Sequence, residues 1–224
     1  MAAQVKSKQR VVDHGEVFTS EREVNAMLDM VKQETERIES RFLEPACGNG
    51  NFLAEVLRRK LEVVRGRYFR SLPEYEKYAF VAVGSLYGVE LLADNVQECR
   101  DRLFGIVKDA YEKVAKKGTS PLFLPAIRYV FSRNILCGDA LSLKADDGEP
   151  IIFSEWSLVT GDKVKRRDFR LDEMLEGHDE QPSLFGASGS AATKWEYDEE
   201  TKAYIPLPIK EYPLMSFYEV SNGE

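Results

Sequence analysis

The 224-residue sequence contains no apolar run long enough to cross a bilayer, so no membrane span is expected. Met1 to Arg10 is polar and basic with no apolar stretch, so no secretory signal is expected either. Cysteine is sparse. Cys47, Cys99 and Cys137 lie far apart and form no Cys-x-x-Cys pair, which argues against a zinc site or any other metal centre and for reduced thiols in a cytoplasmic protein. Of the two histidines, His14 reads as a loop residue rather than a ligand. The chain also lacks an excess of positive charge. Its net charge of −7 is poorly suited to gripping DNA alone, because phosphate contacts need clustered cations. A local basic patch remains compatible with that balance. Hydrophobic residues make up 43% and charged residues 31%, a globular composition. The length suits one α/β domain with a good core and a small appendage. There is no internal repeat.

What is present centres on Arg41-Phe-Leu-Glu-Pro-Ala-Cys-Gly-Asn-Gly-Asn-Phe-Leu53. It reads as a short strand, a glycine turn and the start of a helix. Gly48 and Gly50 let a ligand approach the backbone with no Cβ in the way. Asn51 is placed to cap a helix whose apolar side is Phe52, Leu53, Val56, Leu57 and Leu61. The free N–H groups of that helix start, with Glu44 at the strand end to accept from a cationic or amino group, suit a nucleotide-like ligand at the carboxyl end of a parallel sheet. Upstream, Ser20 and Glu23 form a capping box for a helix carrying Val24, Met27, Leu28 and Val31. Downstream, Pro73 starts a helix to about Val83, and Leu86-Tyr-Gly-Val-Glu90 is a second strand ending in an acid, the position that bonds ribose hydroxyls in nucleotide-binding sheets. A helix is expected from Ala93 to Lys117, an irregular link from Thr119 to Ile127, and a third strand over Asn134-Ile-Leu-Cys-Gly-Asp-Ala-Leu141. Asp94 reads as a helix N-terminal acid.

Glu44-Pro-Ala-Cys-Gly-Asn-Gly-Asn-Phe52 resembles the first motif of amino-group DNA methyltransferases, the S-adenosylmethionine (SAM) enzymes of restriction–modification systems. The resemblance extends over about residues 13–143. Gly15 to Ser20 is similar to the segment before that motif, with Ser20 in place of the usual proline; Gly88-Val-Glu90 and the stretch ending at Asp139 are similar to the second and third motifs. It implies a Rossmann-like class I SAM-dependent methyltransferase fold, mostly parallel with helices on both sheet faces. It implies SAM as cofactor, held by Phe18 and Thr19, by Glu44, Pro45, Ala46, Cys47, Gly48, Asn49, Gly50 and Phe52, by Glu90 and Leu91, and by Asp139 and Ala140. Thr19 can equally be plain capping. The implied activity is methyl transfer to adenine N6 in DNA, with DNA as partner and help from a partner subunit or specificity protein.

The fourth motif of that family, Asn/Asp/Ser-Pro-Pro-aromatic, is missing: nine prolines occur and no two are adjacent. At the expected place stands Pro150-Ile-Ile-Phe-Ser-Glu-Trp-Ser157. If Ile151 to Phe153 is a fourth strand, Ser154, Glu155 and Trp156 lie at its carboxyl end, where Glu155 could accept from an amine and Trp156 could stack on a planar substrate. The alternative is a rerouted strand with Trp156 as core filling. Three functions therefore stay open: a DNA methyltransferase, a non-catalytic SAM-binding subunit or decoy, and a methyltransferase for another substrate. Two basic stretches, Gly66-Arg-Tyr-Phe-Arg70 and Lys163-Val-Lys-Arg-Arg-Asp-Phe169, could meet phosphate or be solvated helix ends and turns. The expected organisation is a mobile arm over 1–12, a methyltransferase-like domain over 13–160 and a C-terminal extension over 161–224. That extension has a mobile Gly/Ser loop at about 177–193, followed by short edge strands or an extended arm.

Overall fold

A computed structural model describes residues 6–14, 16–115, 118, 120–176, 195–199 and 202–222. The chain is α/β. Helix α1, Lys8–His14, occupies part of the expected arm, and its Arg10 is bonded to Glu16 and Asp94. Helix α2, Glu21–Met30, starts at the expected capping box: Ser20 Oγ accepts the Glu23 N–H and Glu23 accepts the Ser20 N–H. A single turn, α3, covers Lys32–Thr35. Strand β1 is Phe42–Glu44, and α4 runs Asn51–Tyr68 behind the glycine turn. The cap of α4 differs from expectation. Gly50 is the N-cap, in the left-handed region at φ +84°, and Asn51 is already helical with its side chain donating to Thr19 O at 3.0 Å. Backbone freedom at Gly50 thus replaces a side-chain cap.

Helix α5, Leu72–Gly84, carries Pro73 in its first turn, where the absent N–H costs no helical bond. Strand β2 is Leu86–Glu90, and α6 is Ala93–Ala115. The expected link over 119–127 is partly helix: α7 spans Phe123–Asn134, with Pro125 in its first turn, which tolerates proline. Strand β3, Ile135–Asp139, follows, then the two-residue β4, Lys144–Ala145. Strands β1, β2 and β3 pair in parallel, in that order, and β4 adds antiparallel to β3.

A fourth parallel strand at Ile151–Phe153 is not formed. Instead β5, Ile152–Thr160, pairs antiparallel with β6, Lys163–Arg170. The two residues between them, Gly161 and Asp162, make the tight turn, with Gly161 at φ +57°. The second basic stretch is therefore a strand of this hairpin. Helix α8, Leu171–Glu176, follows; β7, Trp195–Asp198, pairs with β8, Ala203–Pro206. Strands β9, Lys210–Glu211, and β10, Met215–Ser216, both return to pair with β6, and a 3₁₀ turn covers Phe217–Asn222. The boundary expected after residue 160 thus falls inside a hairpin. The expected loop at 177–193 lies outside the described residues. No described helix is long and apolar enough to cross a membrane.

One continuous core joins α2, α4, α5, α6 and α7 through Leu28, Leu57, Phe80, Leu103 and Phe131, all buried. On β2, Gly88 meets Leu53 of α4 and Cys47 so closely that an added Cβ would sit 2.9 Å from the Cys47 sulfur. Tyr87 and Val89 point the other way, onto Ile151, Phe153 and Leu171. That face of the sheet is covered by the hairpin where the resemblance implied helices.

Candidate functional site

The carboxyl ends of β1, β2 and β3 open into a cleft of about 690 Å³. Parallel strands place their ends on one side, so Glu44, Glu90 and Asp139 converge there although they are far apart in sequence. From the glycine turn come Pro45, Ala46, Cys47, Gly48, Asn49 and, from α4, Phe52. Phe18 and Thr19 close one side; Leu91 and Ala140 follow the two later strand ends. Gly50 does not line the cleft. It is buried beneath the turn, where an added Cβ would stand 2.6 Å from Cys99 Sγ.

Glu90 organises the turn. Its carboxylate accepts the Gly48 N–H at 2.9 Å, the Leu92 N–H at 3.0 Å and an Asn95 amide hydrogen at 3.2 Å. Cys47 N–H, donated to Val89 O at 2.9 Å, ties the same turn to β2. Gly48 itself has φ +52°, and the Phe18 ring lies 3.1 Å from where its Cβ would be. The turn is therefore held from two sides while its outer surface faces the cleft.

Glu44 has a different environment. Burial pushes its carboxyl above the ordinary range. Asp139 is held low by the Leu141 N–H at 2.9 Å, a bond that favours the carboxylate. A further acid was missed in the sequence: Glu16, buried, lines the cleft and accepts from Asn95 at 2.6 Å and from Arg10 through two bonds of 2.7 Å. Arg10 keeps it in the anionic form. Its only sequence signal is its place in the segment before Thr19. Among the described residues, four carboxylates and no lysine or arginine line the cleft. With Glu16 paired to Arg10, the negative charge of the lining rests on Glu44, Glu90 and Asp139, which disfavours phosphate and favours a cation.

Ser154, Glu155 and Trp156 are not in this cleft. They lie mid-strand in β5, and the hairpin carries them toward the amino ends of β1 and β2. Glu155 pairs with Arg41, which precedes β1, and with Arg167. Trp156 packs on Gly84, before β2, and edge-on to Phe80. Ser154 is buried, donating to Asp168 at 2.7 Å. The position expected for the trio, a strand end beside the methyl donor, is corrected: continuing β5 to Thr160 puts them at the opposite end of the sheet. Neither basic stretch reaches the cleft. Gly66 to Arg70 straddles the end of α4 and starts about 22 Å along the helix from Asn51. In β6, Arg166 is spent on Asp168 and Arg167 on Glu155.

Over 105 residues the chain is 29% identical to a protein of Methanocaldococcus jannaschii whose name describes a candidate type II restriction enzyme and methyltransferase. The match takes in 45% of this chain and 8% of that much longer protein. The likeness is thus to a restriction–modification protein, over a small part of it. No family model and no solved structure matches the chain.

Proposed function

We propose that the cleft binds S-adenosylmethionine and that the chain is the cofactor-holding part of a Rossmann-like, adenine-N6 DNA methyltransferase of a restriction–modification system. The observation that carries this reading is the cleft beneath a left-handed glycine turn at three parallel strand ends, lined among the described residues by carboxylates and by no lysine or arginine. A dinucleotide or triphosphate would bring negative charge against Glu44, Glu90 and Asp139. A nucleoside bearing a sulfonium and an amino group brings the opposite sign. Glu90 would accept from ribose hydroxyls, Asp139 from the adenine amino group, and Glu44 from the amino-acid end beside Phe18 and Thr19. The bound cofactor would supply an electrophilic methyl group for in-line displacement. The chain's own residues position and electrostatically complement that group.

A second reading is favoured by one observation: Ser154, Glu155 and Trp156, the groups expected to serve the acceptor amine, stand at the far end of the sheet. On that reading the chain binds SAM and handles the acceptor only with a partner. DNA would be gripped with the partner's help, given the net charge of −7.

Calorimetric titration tests the reading. Saturable binding of SAM with no binding of ATP or NAD is expected. Binding should weaken as pH falls through the raised Glu44 range, because a protonated Glu44 no longer attracts the cation. Glu44→Gln should bind weakly at every pH and lose that dependence. Tight ATP binding, or none of SAM, would overturn it.

A further inference from the structure

Asn95 lies in the first turn of α6 and is fully buried. Its amide nitrogen donates to two carboxylates at once, Glu16 at 2.6 Å and Glu90 at 3.2 Å. Two anions gathered on one buried donor repel each other, and the repulsion grows where water is excluded. Arg10 of α1 supplies the compensating charge. Its guanidinium donates to both Glu16 oxygens at 2.7 Å and reaches Asp94 at 2.8 Å. These bonds hold the Glu16 carboxyl below the ordinary carboxylate range. Lys6, just before α1, sets the Asn95 amide the right way round. Its ammonium donates to Asn95 Oδ1 at 2.6 Å, which leaves the amide NH2 to face the two carboxylates.

Glu90 is therefore nearly filled by the protein itself. Oε1 accepts from the Leu92 N–H and from Asn95, and Oε2 accepts the Gly48 N–H. A carboxylate has about four lone-pair sites, so what remains for a ligand is on Oε2, the oxygen that also holds the glycine turn. We propose that α1 is a strap that acts on the cofactor site from outside it: Arg10, through Glu16 and Asn95, positions the Glu90 carboxylate to accept a nucleoside hydroxyl. The proposal rests on the SAM reading above. Arg10 does not line the cleft, so its role is positioning and not contact. Undocking of α1 would leave Glu16 against Glu90 with no cation beside them. The outer side of the strap is held by half-exposed ion pairs, Lys6 with Asp94 and Glu98 and Arg10 with Asp94, which cost little to break. A weakly held helix thus governs a buried ligand group, and its docking regulates cofactor affinity.

The test is calorimetric titration of the full chain and of Arg10→Gln with SAM and with methylthioadenosine, which keeps the adenine and ribose but lacks the amino acid and the sulfonium. Arg10→Gln should weaken both ligands by about fivefold or more. In a Glu90→Gln background the same change should cost less than about twofold, because its target is already gone. Hydrogen exchange without ligand gives a second reading. The Gly48 amide, held by Glu90, should exchange faster in Arg10→Gln, while the Cys47 amide, held by Val89 O, should not. Should Arg10→Gln fail to fold, Lys6→Met is read in the same way. Unchanged SAM affinity in a folded variant would overturn the proposal. So would an equal loss in the Glu90→Gln background, or a loss confined to SAM, which would place Arg10's effect at the cationic end of the ligand. A parent chain that binds no SAM sinks the function instead, and the Gly48 exchange then still decides whether the strap reaches Glu90.

Discussion

The Glu90 carboxylate accepts the Gly48 N–H at 2.9 Å, binding the end of the second strand to the turn that follows the first. The same carboxylate holds Leu92 N–H and the Asn95 side chain, so it is both a wall of the cleft and its brace. Glu90→Ala leaves these donors without an acceptor, at about 1–3 kcal/mol for each one that stays buried. The expected result is a lower urea midpoint together with at least a tenfold loss of SAM affinity. Glu90→Gln keeps the shape but substitutes a weaker acceptor, and should recover most of the stability and little of the affinity. Calorimetry and denaturation on the two variants separate brace from ligand. Parent-like SAM binding by Glu90→Ala would remove Glu90 from the site.

Two glycines of one segment should respond in opposite directions to alanine. Gly50 combines φ +84° with a Cβ position 2.6 Å from Cys99 Sγ, so Gly50→Ala should destabilise the chain and distort the turn. Gly66 is interior to α4 with nothing within 4 Å of its Cβ position. Gly66→Ala should therefore raise stability by about 0.5–1 kcal/mol through helix propensity and unfolded-state entropy. Chemical denaturation of both checks the pair.

Lys60 is wholly buried, donating to Ile38 O, Ser40 O and Ser85 Oγ where β1 begins. Burial lowers it to about 7. In the unfolded chain it holds its proton to about pH 10.4, so between those values the unfolded state binds more protons. Stability should then rise with pH, by about 2 kcal/mol from about pH 7 to about pH 9. Cys47, whose thiol is pushed up by its hydrogen bond with Cys99 and by burial, acts in the opposite sense, since the unfolded thiol ionises first. The measurement is thus the difference in urea-unfolding pH dependence between parent and Lys60→Met. Equal dependences would show that Lys60 stays charged on its three acceptors.

Trp156 and Glu155 should behave as structural residues. Trp156→Ala removes a buried ring packed on Phe80 and Tyr129 and should cost about 3–5 kcal/mol. Glu155→Gln weakens the links to Arg41 and Arg167 but should leave SAM affinity within twofold. A selective loss of methyl transfer in Glu155→Gln, with SAM affinity and thermal stability unchanged, would restore it to the chemistry.

Much of the cleft was legible because its parts are local. A strand-end acid, two closely spaced glycines and an apolar helix face are contiguous in sequence. Strand β2 ends where its pattern ends, at Glu90. The capping box at Ser20 and Glu23 also needed only four residues to be read. Glu16 was illegible, since nothing local distinguishes it from a solvated glutamate until Arg10 and Asn95 meet it. Helix α7 was obscured by Pro125, which breaks a helix anywhere but its first turn.

The sequence by itself determined the turn, its flanking strand and helix, and the acids at the ends of β1, β2 and β3, because short-range sterics and periodicity decide those. Only tertiary structure decided where residues 150–170 go. The same apolar run could have continued the parallel sheet or turned back at Gly161, and long-range packing of Ile151, Phe153 and Leu171 on Tyr87 and Val89 of β2 chose the hairpin. That choice leaves one edge of β1 unpaired among the described residues and carries Glu155 to the far end of the sheet, since a strand's pairing partner is fixed by the surface it buries and not by its own residues.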